Sequence, residues 1–387
     1  MLFGIAGPAP HVYFADHRSA NRAVLVMEQV QVHRVTVPQS VLVWLLEENE
    51  PSARHEAMTS LLGRDENEIQ VIQAKKLIGT QGWASRIFER QKDETYWDNP
   101  KSCYVPKFSA CSWQLLVLAD LGVSSKDPRV AKAVEHFLEL HNVESGGISL
   151  RPKGNPKFEP HICATGNMIR ALAKMGYADD DRILKALDWL LGKQLQDGGW
   201  NCAPPGKHGS FMATIEPLWA LSEMMSHDAR EGWEASAKRG CEFLLKHHLY
   251  KSDKDDSVIL LDFLRTHYPL HYSYDFLHGL RVLTELGVKN DPRLNDAVSL
   301  LLEKRLPDGR WLLEGVYRGW RHTHAMHGEE TVSRPEEREL ITEGWGSERT
   351  IQIEEAGKPS KWITLQALIV LKRLGLFHPG SVHQDSL

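Results

Sequence analysis

Cysteine is scarce. Five residues, Cys103, Cys111, Cys163, Cys202 and Cys241, are scattered over 387 positions, too few and too dispersed for a disulfide framework. They read instead as thiols or metal ligands. No run of 18 or more apolar residues occurs, which excludes a transmembrane helix and leaves only a peripheral membrane contact open. The opening stretch MLFGIAGPAP has neither a basic n-region nor an apolar h-region, so a cytoplasmic location is expected rather than secretion. Charge of one sign is missing too. Lys and Arg number 46 against 51 Asp and Glu, a net −5, and no basic run would track a phosphate backbone, which argues against nucleic acid as a partner.

What is present is an ordinary folded composition, 42% hydrophobic and 25% charged, with a large core within reach. Twelve Trp and nineteen His fall mostly near the loops between helical patterns. Residues 1–37 differ from the rest: Val30, Val32, Val35 and Val37 give a weak period of two, predicting an irregular extension or weak strand. From Pro38 the chain reads helical, with Ser40 as a cap ahead of Val41 and a further helical stretch from Pro51 to Leu62. Residues 38–378 form one domain, with a polar insertion over 316–360 as a possible lid and a tail over 379–387.

Within that domain a unit repeats. Residues 109–122 are apolar and end in Gly, then Asp127-Pro128-Arg129 opens an amphipathic stretch to Leu140, and Gly146-Gly147 follows. Residues 164–176 repeat the apolar stretch, followed by Asp181-Arg182, an amphipathic stretch to Gln194, and Asp197-Gly198-Gly199-Trp200. Residues 273–287 repeat it again, followed by Asp291-Pro292-Arg293, a helix to Arg305, and Asp308-Gly309-Arg310-Trp311. Less regular copies of the apolar helix lie at 211–225 and 362–375. One helix of each pair is apolar nearly all round and the other is one-faced, which predicts buried helices surrounded by outer ones. Five or six such pairs make an all-α fold, an α/α toroid.

The loops Gln194-Leu195-Gln196-Asp197-Gly198-Gly199-Trp200 and Leu306-Pro307-Asp308-Gly309-Arg310-Trp311 resemble the Q/D-G-G-W repeat of squalene-hopene cyclases and of protein prenyltransferase β subunits. The resemblance runs from about Tyr104 to Leu376. Around 163–202 and 359–362 the chain is similar to uncharacterised bacterial and archaeal proteins of that superfamily, which implies the toroid and no particular reaction. The prenyltransferases use an Asp-x-Cys pair and a distant His for zinc, and this sequence has no Asp-x-Cys. Within the motif, Gly serves a tight turn and Trp plugs between helix pairs, a structural role.

In a closed toroid the apolar helices run the same way, so their first turns and the loops before them share one mouth. That places Cys111, His161, Cys163, Cys202, His208, His271, Asp275 and the stretch from His322 to Trp362 together, where helix N-termini favour an anionic head group. Cys163, Cys202 and His208 are the expected metal set, with Asp275 or His271 as a fourth ligand and zinc as the ion. Asp275, in the first turn of its helix, and His271 are the expected catalytic pair. Asp255 joins them because Asp253-Lys254-Asp255-Asp256 matches the Asp-x-Asp-Asp of class II terpene cyclases, although it follows an outer helix and also reads as a solvated turn. Trp113, Trp345, Trp362, Tyr272 and Tyr274 are expected to line the substrate cavity. His322, His324 and His327 alternate within the polar insertion, a second metal pattern on a lid-like segment.

The expectation that follows is an isoprenoid- or lipid-handling enzyme, terpene cyclase or prenyltransferase-like, with an apolar small molecule in a central cavity under a polar mouth. A non-catalytic toroid that binds a lipid, peptide or protein is the second reading. A carbohydrate-active toroid is the third, and it needs paired carboxylates across a groove.

Overall fold

A computed structural model describes residues 35–203, 206–228, 230–316 and 352–378. Residues 317–351 of the polar insertion, including Trp345 and the His322, His324 and His327 series, lie outside the described residues, as do residues 1–34 and the tail.

The described residues are helical, with one pair of two-residue strands. Strand β1 (Val35–Thr36) runs parallel to β2 (Phe377–His378), with Val35 opposite Phe377, so the two ends of the domain are tied to each other. Helix α1 (Gln39–Leu45) starts after Pro38, whose fixed φ suits a helix start. Ser40 therefore lies inside the first turn rather than capping it, and no side-chain cap forms. Helix α2 (Pro51–Glu56) continues into a π-helical turn at Ala57–Leu61. Two short helices follow, α3 (Ile69–Leu77) and α4 (Gly82–Phe88).

The repeat then appears as read from the sequence. Helices α5 (Cys111–Asp120), α7 (Ile162–Leu172), α9 (Phe211–His227), α11 (Phe276–Glu285) and α13 (Lys361–Arg373) are the apolar members. Burial is nearly complete in four of them, over Cys111–Ala119, Thr165–Leu172, Phe276–Thr284 and Lys361–Leu371. Helices α6 (Pro128–His141), α8 (Asp181–Leu191), α10 (Glu231–Lys246) and α12 (Asn295–Glu303) are the amphipathic members. Contacts run from α5 to α7, α9, α11 and α13 in turn, from α13 to residues 57–61, from α2 to α4, and from α4 to α5.

The Asp-x-Arg signal before the outer helices has a physical basis. In each of three copies an Asp caps the helix and its carboxylate grips the arginine two residues on: Asp127 with Arg129, Asp180 with Arg182, and Asp291 with Arg293. The same arginine then reaches back to an earlier element, Arg182 to Glu135 and Arg293 to Glu242 on the preceding outer helices and Arg129 to the Gly79 carbonyl. One short motif thus starts the helix and staples it to what came before.

The glycine-tryptophan loops work alike. Gly198 and Gly309 sit at φ near +90°, where L side chains are strained, and an added Cβ would strike the Arg239 carbonyl in one case and the Pro38 ring in the other. Trp200 Nε1 donates to the Leu190 carbonyl (2.9 Å) and Trp311 Nε1 to Leu301 (2.7 Å), each ten residues back. Both rings are fully buried. Trp97 makes the same bond, 2.8 Å to the Ile87 carbonyl, a third copy whose surrounding sequence carries no Gly-Gly.

Candidate functional site

After three of the four amphipathic helices, α6, α8 and α12, the loop is stitched to the start of the next apolar helix. The Trp200 amide donates to Thr214 Oγ1 while its carbonyl accepts from the Ser210 amide. Trp311 does the same with Thr364 and Ser360, and Ile148 with Thr165 and His161. This register makes His161, Ser210 and Ser360 equivalent, each standing at the cap of its helix. Ser210, Ser360 and also Asp275 accept a backbone N–H of the first turn, the role expected of a cap. His161 caps nothing.

Its ring turns instead toward two sulfurs. A ring nitrogen of His161, Cys163 Sγ and Cys202 Sγ all lie within 4.8 Å of one another, and the two sulfurs are 2.6 Å apart. Cys163 sits in the first turn of α7, and Cys202 follows Trp200 in the stitched loop, so the fold alone brings these residues together across 39 positions. Cys202 is held low, at about 5, by the Cys163 thiol first and then by His161, against the opposing effect of burial. Hydrogen bonding to Cys202, and then burial, push the Cys163 thiol up. Burial acts to lower His161, but Cys202 outweighs it and the imidazole is raised. The set therefore favours a Cys202 thiolate, stabilised by the Cys163 thiol and by the His161 ring.

These three residues open on a cavity of about 250 Å³ between the first turns of α5, α7 and α9. Trp113, Leu116, Phe137, Ile148, Met168 and Met212 supply its apolar wall. Its polar edge holds Lys107, whose ammonium donates to the Tyr272 hydroxyl at 3.2 Å and which burial lowers to about 8. At the inner wall stands Asn167, 4% exposed, with its Oδ1 unpartnered.

From the inner wall of the pocket inward, four of the five apolar helices carry a buried polar side chain at one level. Six residues after each cap stand Leu116, Asn167, Glu216, Arg281 and Gln366, all buried. Both carboxylate oxygens of Glu216 are unpartnered, and burial pushes this acid well up. Arg170 pairs with Asp120 at 2.5 Å and stacks over Trp219, with Arg281 also over Trp219.

The other residues singled out from sequence are distributed as follows. His208 is a surface residue, its side chain 92% exposed and 4.0 Å from Asp197, so it stays outside the cysteine cluster and His161 takes its place. The backbone at His208 is pinned on the side away from the cluster: Asn201 donates to the His208 carbonyl and Asp197 accepts from the Gly209 amide. Asp275 is buried, with its carboxylate accepting from the His267 and His278 amides, and it does not line the pocket. His271 stacks on Phe108 at 4.6 Å, and burial drives it down to about 3. Neither His271 nor Asp275 stands beside the two sulfurs as a fourth ligand. Asp255 is exposed in the turn over 252–257, accepting from Ser257. Trp113 and Tyr272 line the pocket. Trp362 instead packs on Trp83 and Tyr268, and Tyr274 is bonded to the Leu249 carbonyl and enclosed by Phe211 and Phe263, so both belong to the core. Lys107, Asn167 and Met168 were not found from sequence, since nothing in local spacing marks which face of a buried helix meets a cavity.

Two thiols and an imidazole are donors of the kind zinc takes, and one face of the set meets the pocket. Two sulfurs bound to one tetrahedral zinc stand about 3.8 Å apart, given bonds of about 2.3 Å. At 2.6 Å the pair is closer than a shared ion leaves it, so the residues as placed do not fit zinc.

No protein-family profile matches the chain, and no curated protein does. Solved structures similar to it include the type II terpene cyclase MstE from Scytonema without ligand, 15% identical, covering 92% of this chain and 97% of that chain with a TM-score of 0.41. A variant of that enzyme in complex with geranylgeranyl dihydroxybenzoate is 15% identical and covers 85% of this chain and 87% of that chain, with a TM-score of 0.39. A protein from Actinoplanes is 16% identical and covers 84% of this chain and 89% of that chain, with a TM-score of 0.41.

Proposed function

We propose that this chain is an enzyme of apolar, isoprenoid- or lipid-like substrates, built as an α/α toroid of five to six helix pairs. The substrate enters between the first turns of α5, α7 and α9, and the chemistry is done by the Cys163, Cys202 and His161 cluster. The observation that carries this reading is the pairing of an apolar pocket with one reactive set on its wall. A purely structural cavity has no use for a lowered thiol, and perturbed groups at a pocket mark a working site more often than a packing accident. The apolar wall agrees with a hydrocarbon chain rather than a sugar polymer. Among the described residues the pocket's lining holds no Asp or Glu, so a carbohydrate-active reading lacks there the paired carboxylates it needs. A non-catalytic lipid carrier is the reading to beat.

Binding of geranylgeraniol to the purified chain, followed through Trp fluorescence, tests the proposal. Quenching should occur and should weaken at least tenfold in Leu150→Trp, where a larger ring on the half-buried loop fills the cavity. Binding unchanged by that substitution removes the pocket from the reading. Tight binding together with retention of the ligand through any change at Cys202 favours the carrier.

A further inference from the structure

We propose that Cys163 and Cys202 are a two-electron redox pair that reduces an apolar alkyl hydroperoxide held in the adjoining pocket. This rests on the reading above that the pocket takes an apolar ligand. The juxtaposition carries it: two unbonded sulfurs at 2.6 Å, within reach of the roughly 2.05 Å of a disulfide, with an imidazole at their side and an apolar cavity in front.

The cavity selects the oxidant. A cavity of about 250 Å³ suits a small molecule, and its apolar lining disfavours charged oxidants such as glutathione disulfide. A hydroperoxide on an apolar chain satisfies both conditions. Cys202, the sulfur held as thiolate, attacks the terminal peroxide oxygen. The S–O bond forms, the O–O bond breaks, and the leaving alkoxide takes the proton of His161. Cys202 is then a sulfenic acid. The now neutral His161 accepts the Cys163 proton, and the Cys163 sulfur attacks Cys202. The S–S bond forms, the S–OH bond breaks, and hydroxide leaves with that proton as water. One hydroperoxide becomes one alcohol and one water, and two thiols become a disulfide.

The departure of this unit from its repeat supports the assignment. The cap position holds His161 where two equivalent positions hold serine, and Cys202 stands two residues after Trp200 where Leu313 follows Trp311 and Leu150 follows Ile148. These two departures, His161 at the cap of α7 and Cys202 in the following stitched loop, converge on one point, and the first gives up the α7 cap.

The test uses the full chain, reduced and freed of reductant, mixed with cumene hydroperoxide and in parallel with hydrogen peroxide. Intact mass should fall by two hydrogens, peptide mapping should link Cys163 to Cys202, and dithiothreitol should reverse it. Cumene hydroperoxide should react at least tenfold faster than hydrogen peroxide. Cys163→Ser should halt at an oxygen adduct on Cys202, Cys202→Ser should slow oxidation at least a hundredfold, and Cys241→Ser should change nothing. A different linkage, equal rates with the two peroxides, or stoichiometric zinc that survives purification and shields both thiols would each overturn the proposal. Geranylgeraniol binding measured on the same samples keeps the two readings apart: if it binds and no disulfide forms, only the redox assignment fails.

Discussion

The loops that end in Trp200 and Trp311 share a skeleton and differ in content. Each places its tryptophan ring against a carbonyl ten residues back, bonds its amide to a threonine and its carbonyl to a serine of the next apolar helix, and turns on a glycine at positive φ. After the tryptophan they diverge. One continues Asn201-Cys202 beside a cavity, the other Leu312-Leu313 with Leu313 fully buried. The bonds that build the fold are therefore common to the repeats, and the cysteine-histidine cluster sits where the repeats depart from one another. The same contrast holds at the helix caps, where Ser360 caps α13 and His161 leaves α7 uncapped.

The largest effects should fall on the shared skeleton. Trp200→Ala and Trp311→Ala should each lower stability by about 3–5 kcal/mol, read by chemical denaturation. A much smaller loss at Trp200 would break the equivalence. Asp275→Ala removes a cap and leaves two buried amides unpaired, a cost of about 2–3 kcal/mol. Asp275 also faces His267 at 3.4 Å. Burial alone would lower that histidine, but Asp262 and Asp275 outweigh it and hold it at about 9. Because the folded value lies above the ordinary one near 6.5, the stabilisation is full below about pH 6.5 and is lost as pH rises through about 9. Unfolding measured across pH 6 to 10 should show this decline, and it should flatten in Asp275→Ala.

Smaller effects should sharpen the contrast on the chemical side. His161→Ser gives α7 the cap its relatives have and should raise stability by about 0.5–1 kcal/mol, while slowing alkylation of Cys202 at pH 6. A stabilised variant with undiminished thiol reactivity would show that the imidazole does not serve Cys202. His208→Ala and Asp255→Ala, both on the exposed surface, should leave melting temperature and thiol reactivity unchanged.

Helix periods, glycine stops and Asp-x-Arg starts were legible because each is a local effect of a few neighbouring residues, and they located nearly every described helix of the repeat. Burial of α7 and α11 followed from their lack of a polar face. The site was legible only in part. Cys163 and Cys202 lie at helix and loop positions that the repeat brings to one end, so their approach followed from register. The third member did not, because His161, two residues from Cys163, and His208, six from Cys202, both fall near a cysteine in sequence, and only the tertiary structure turns one of them outward.

The sequence by itself determined the order of helices, the repeating unit and the convergence of two cysteines, since periodicity and turn chemistry act within a few residues. Tertiary structure decided which histidine joins them, that Asp275 spends its carboxylate on backbone amides, that Trp362 and Tyr274 are core, and where a cavity opens. Those outcomes depend on which faces of neighbouring helices meet and on how side chains from distant repeats fill the space between them, and no local pattern encodes that packing.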